Sequence, residues 1–165
     1  MTTWSQAFAA QAASDLEAYE FLVQSALPVN HRLHHLQMWL EKLCKAYIWM
    51  PSASPDMELL EERHNVIAKV LPRLIHEHWR RIGFENKPDM GPVRDLCREI
   101  DLLHPQIKDA QRRPDNAEYP WLAGSGSIEV PAQWQFPVAR RLYSYPGKLL
   151  LKAAIQLTRS PALFA

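Results

Sequence analysis

Cysteine is scarce in this chain: only Cys44 and Cys97 occur among 165 residues. Both fall inside apolar helical patterns, which argues against a disulfide framework and predicts small buried thiols suited to a reducing cytosol. An excess of charge of one sign is missing too. The formal net charge is +1 with histidine neutral, so no global field advertises DNA, RNA or an anionic membrane as partner. No stretch approaches the ~18 consecutive apolar residues of a membrane span, and MTTWSQAFAAQAASDLEAYE at the start lacks a basic segment leading into an unbroken apolar core. The expectation is a soluble, untargeted, cytoplasmic protein. Internal repeats and low-complexity tracts are absent. Gly-Ser-Gly at 124–126 lacks the following lysine of a phosphate-cradling loop, His76-Glu77-His78-Trp79 is not the H-E-x-x-H of metalloproteases, and no serine or cysteine stands in a recognisable nucleophile context. No cofactor is implied.

What is present is apolar periodicity. Hydrophobic residues make up 47% of the chain, enough for one globular domain with a substantial core. Thr3, three residues before Gln6, reads as a capping box, and Trp4, Phe8, Ala12, Leu16, Tyr19 and Val23 recur at steps of three and four, predicting a first helix over roughly 4–25. Pro28 breaks it. Asn30 is the expected N-cap of a second helix whose stripe is Leu33, Leu36, Leu40, Leu43 and Tyr47, ending before Pro51. Ser54-Pro55-Asp56 starts a third, with Leu60, His64, Ile67, Leu71, Leu74 and His78 on one face and Gly83 as its cap. Pro72 predicts a kink or division. Val93, Leu96, Cys97, Ile100, Leu103 and Ile107 make a fourth stripe, interrupted at His104-Pro105.

From Arg112 to about Pro146 the pattern changes to proline, glycine and aromatics. Tyr119, Trp121, Trp134 and Phe136 predict a long loop wrapped onto the body, with Ile128-Glu129-Val130 as a short strand and VARRLYSY as a couple of helical turns. Leu149, Leu150, Ala153, Ala154 and Leu157 supply a last helix. The fold expected is all-α, a mostly antiparallel bundle of about five helices in a single domain over 1–165.

The second helix carries EKLCKA at 41–46, HNVIAKVL follows at 64–71 and NAEYPW at 116–121. In this order the three segments resemble the HEPN family, higher-eukaryote and prokaryote nucleotide-binding domains, over roughly residues 10–158. They look like its Glu-Lys-x-x-Lys-Ala helix, its His-led helix and its Arg-Tyr-Pro segment. The resemblance implies a helical bundle that commonly forms a homodimer, found in toxin–antitoxin and defence loci and often beside a nucleotidyltransferase. It also implies that some members are metal-independent ribonucleases using Arg-x(4–6)-His. Arg73 with His78 and Arg98 with His104 satisfy that loose spacing, but neither arginine is followed by the usual polar Asn, Asp or His. Where the family motif falls, Glu118 replaces the arginine and no histidine follows.

Of the two, Arg98 and His104 form the better catalytic pair, since RNA cleavage through the 2′-hydroxyl needs an acid or base near neutral pH and a fixed cation for the phosphate. Six residues on an ideal helix leave the two side chains about 120° apart, so they converge only through the Pro105 break or across a dimer. The structural alternative is a surface ion pair of Arg98 with Asp95 or Asp101 on the solvent side. His31 and His35 have the i,i+4 spacing of a metal pair, yet lack a third ligand. Arg80-Arg81, Arg112-Arg113 and Arg140-Arg141, interleaved with aromatics, are the candidate RNA-binding surface, against plain solvated charge. Three functions therefore stay open: a HEPN-like non-catalytic binding or partner module, a HEPN ribonuclease, and a structural subunit of an assembly.

Overall fold

A computed structural model describes residues 2–50, 65–82, 89–105 and 115–160. Helix α1, Trp4–Val23, begins at the expected capping box: Thr3 Oγ1 accepts from the Gln6 N–H and Gln6 Oε1 accepts from the Thr3 N–H. Its stripe is only partly core. Ala12, Leu16 and Tyr19 are buried, whereas Trp4 is 65% exposed and lies against Phe8 and Trp49.

Helix α2, Val29–Ile48, returns antiparallel to α1. Ser5 Oγ donates to the Ala46 carbonyl, Lys42 pairs with Asp15 and Tyr19 stacks on Trp39, so the start of one helix meets the end of the other. Leu33, Leu36, Trp39, Leu40, Leu43 and Cys44 form the centre of the core. One expectation is corrected here: Asn30 is not the N-cap. Pro28 occupies that position without a side-chain bond, and the buried Asn30 amide donates instead to the Ala117 carbonyl, 3.2 Å away. A long-range acceptor took the side chain that a local cap would have used.

Helix α3, Ile67–Arg81, runs through Pro72 undivided, contrary to one of the outcomes expected there. Pro72 stands only five residues into the helix and is buried with Val70, Leu71, Leu74 and Ile75, so core packing offsets the loss of one backbone bond. The third helix's expected start at Ser54 and its Gly83 cap lie outside the described residues. Helix α4, Gly91–Asp101, packs beside α3 and ends before His104-Pro105, as the break there anticipates; Ile107 is outside the described residues.

The segment from Asp115 to Ser144 is more ordered than a wrapped loop. Strands β1 (Trp121–Leu122) and β2 (Ile128–Glu129) pair antiparallel, a 3-10 turn covers Pro131–Gln133, and α5 spans Pro137–Arg141. Trp121 and Phe136 are buried, and Trp134 packs edge-on against Trp121 with ring centres 5.5 Å apart. Tyr119 stays exposed, so three of the four expected aromatics clamp the segment. Helix α6, Tyr145–Thr158, is capped by Ser144 and closes the core with Leu150, Ala153, Ala154 and Leu157. Gly147 is required there, because a side-chain carbon would collide with the Arg141 and Leu142 carbonyls. The architecture is thus an all-α bundle, six α-helices among the described residues, with one two-stranded ribbon. None of the helices described is long and apolar enough to cross a membrane.

Candidate functional site

Arg98 lies on the exposed face of α4 and its guanidinium donates to Asp95 at 2.8 Å, the i,i+3 surface pair. Asp95 is the only hydrogen-bonding partner of that guanidinium among the described residues. His104 lies beyond the end of α4, half-buried, with its backbone N–H bonded to the Asp101 carbonyl. No hydrogen bond joins Arg98 to His104. Arg73 and His78 are likewise engaged separately. Arg73 donates to Glu77 at 2.9 Å, and His78 shares a hydrogen bond with Gln156. Tyr47 donates to the other Glu77 oxygen at 2.5 Å. Partial burial pushes the Glu77 carboxyl up, but the bonds from Tyr47 and Arg73 outweigh it and hold the group below the usual carboxylate range.

The Glu-Lys segment of α2 makes one bond to α1 and two along its own helix. Lys42 reaches Asp15 of α1 at 2.6 Å, Lys45 pairs with Glu41 at 2.5 Å, and Gln37 donates to the second Glu41 oxygen. Behind them lies a group whose role the sequence did not reveal. Asp101, expected on the solvent side of α4, is only 2% exposed. Its two oxygens accept from the Ile67 and Ala68 N–H groups at 3.2 and 2.8 Å, capping α3 from a different helix. Burial pushes its carboxyl up to about 7, against the pull of those two N–H donors, and the Glu41 charge adds to the rise. Burial also raises the thiols of Cys44 and Cys97, which are free, as expected, and poorly nucleophilic.

His34 approaches Glu118 at 3.5 Å and lies edge-on to His35, whose buried Nδ1 has no hydrogen-bond partner. Burial and the His34 charge lower the His35 pKa. Among the described residues no cluster of three metal-ligating side chains forms. The basic doublets divide. Arg80 and Arg81 are exposed in the last turn of α3, Arg140 bonds to Gln135, and Arg141 is tied to Glu99 of α4. Arg112 and Arg113 lie outside the described residues.

A groove of about 470 Å³ lies between the C-terminal half of α1, the start of α2 and α5–α6. Tyr19, Val23, Leu142, Leu151 and Ile155 give it apolar walls, and Arg32 and Lys148 line it with positive charge. Its volume falls in the range of small-molecule sites. Sequence reading placed Tyr19 in a core stripe and gave no signal for the groove, because its walls are more than a hundred residues apart in the chain. No family model, no curated protein and no solved structure matches this chain.

Proposed function

We propose that the chain is a HEPN-like, non-catalytic binding or partner module, acting as a homodimer beside a nucleotidyltransferase or another subunit of a toxin–antitoxin or defence locus. The observation that supports the non-catalytic reading is the different placement of Arg98 and His104. The arginine points to solvent with Asp95, and the histidine lies past the end of the helix with no hydrogen bond to it. An exposed pair contributes at most about 1 kcal/mol, so it is the different placement of the two residues, rather than the ion pair, that supports this reading.

Purified chain incubated with labelled single-stranded and structured RNAs in EDTA tests this. Intact RNA is the expected result. Cleavage by the wild type that disappears in both Arg98→Ala and His104→Ala overturns the reading in favour of a metal-independent ribonuclease. Light scattering across a concentration series checks the dimer, with a mass of twice the chain expected.

A further inference from the structure

The groove between α1 and α5–α6 carries an inference beyond that reading. Its acid is already committed: Glu20 receives both of its hydrogen bonds, at 2.7 and 2.9 Å, from one Arg159 nitrogen. Its other two charged residues are not. Arg32, half-buried, and Lys148, exposed, have neither an ion pair nor a side-chain hydrogen bond among the described residues. Tyr19 adds an unused donor: its ring is buried and stacked on Trp39 at 5.7 Å, while its hydroxyl has no hydrogen-bond partner among the described residues. Two uncompensated cations and a free hydroxyl therefore border walls built from Val23, Leu142, Leu151 and Ile155.

From this geometry we infer that the groove binds an amphipathic organic anion, a small molecule whose aromatic or aliphatic body lies on the apolar walls and whose carboxylate, sulfonate or phosphate meets Arg32 and Lys148. The polarity of the lining disfavours the alternatives in turn. A neutral apolar ligand leaves both cations unanswered, and a cation is repelled by them. A volume of about 470 Å³ accommodates a drug-sized body. Arg32 supplies a planar fork for an oxyanion and Lys148 a mobile point charge at the rim.

The probe is 8-anilinonaphthalene-1-sulfonate, an aromatic anion, titrated into the full chain by fluorescence and calorimetry, with uncharged N-phenyl-1-naphthylamine as its neutral counterpart. Saturable one-to-one binding of the sulfonate is expected, weakened about tenfold when the charge is absent from the ligand and about three- to tenfold by Arg32→Gln or Lys148→Gln. Those two substitutions leave binding of the neutral amine unchanged. Leu151→Gln, which breaks the apolar wall without adding charge, weakens both probes, and Arg98→Gln, outside the groove, weakens neither. Circular dichroism confirms that each variant is folded. Equal affinity for the two probes, sulfonate binding indifferent to both cation substitutions, or no saturable binding overturns the inference. The RNA assay plays no part in these outcomes, so a ribonuclease result leaves this proposal standing or falling on its own.

Discussion

The α1–α2 hairpin and the segment from Asp115 to Ser144 are held by different physics. In the hairpin, one apolar side chain follows another at helical spacing, and Leu33, Leu36, Trp39, Leu40 and Leu43 disappear completely into the core. The later segment has no such periodicity, and its Tyr119, Leu122, Ile128 and Tyr143 stay exposed. It relies on three aromatics and on polar side chains that bond to backbone: Asn116 Oδ1 accepts from the Glu118 and Tyr119 N–H groups, Asn30 holds the Ala117 carbonyl, and the Ala117 N–H reaches Leu103. Gly126, at φ 84°, closes the ribbon's turn. Periodic burial is redundant, because each residue has neighbours that share its load. A few polar and aromatic fastenings are not, so each carries a definite local stretch of chain.

The sharpest way to break this contrast is a pair of tryptophan truncations. Trp39→Ala removes a fully buried ring and its indole hydrogen bond to Thr158, 2.8 Å long. A loss of about 3–5 kcal/mol of global stability is expected in denaturant titration. Trp121→Ala, by contrast, should speed hydrogen exchange over 115–141 while leaving amides of α1 and α2 nearly as protected as before. Equal loss of protection in both regions would show that the segment is part of the same cooperative unit.

The next effect belongs to Asp101, a polar fastening inside the periodic half. Its folded pKa, about 7, is above its ordinary value of 3.8. Between those values the folded state holds the proton that the unfolded chain has lost, so its stabilising contribution is full at low pH, falls as pH rises through about 4 to 7, and is flat above. The difference in stability between wild type and Asp101→Asn should therefore change across that window by on the order of 2–4 kcal/mol, favouring wild type at the acidic end. Thermal melts from pH 4.5 to 8 check it, and parallel curves for the two proteins would count against a raised pKa.

Gly147→Ala comes third. Forcing a methyl group against the Arg141 and Leu142 carbonyls should cost about 1–3 kcal/mol by displacing α6 from α5, although alanine is ordinarily the better helix residue. A stabilised variant would mean that the close approach is relieved without cost. The smallest effect is Thr3→Ala, which removes half of an exposed capping box and should cost about 0.5–1 kcal/mol, seen as fraying of the first turn of α1 in exchange measurements.

Much of this was legible in the chain. The capping box at Thr3, the stripes of α2 and α6, the buried free thiols, the break at His104-Pro105 and the short strand at Ile128 all follow from neighbouring residues and therefore from local rules. Asn30 and Asp101 were misplaced for one shared reason. Each has a short polar side chain that a local reading assigns to a cap or to solvent, and each found a backbone partner in a distant element. The candidate pair Arg98 and His104 was similarly described by spacing alone, whereas its placement depends on α4 stopping at Asp101.

The sequence by itself determined an all-α chain: apolar residues recur at three and four, caps and prolines punctuate the helices, and net charge is close to neutral. Those are properties of residues a few positions apart, where backbone geometry fixes which side chains share a face. Only the tertiary structure decided that Asp101 caps α3, that Lys42 fastens α2 to α1, and that Tyr19, Arg32 and Lys148 border one groove. Such assignments join residues tens to more than a hundred positions apart, and the burial that brings them together is non-directional, so no local pattern encodes their meeting.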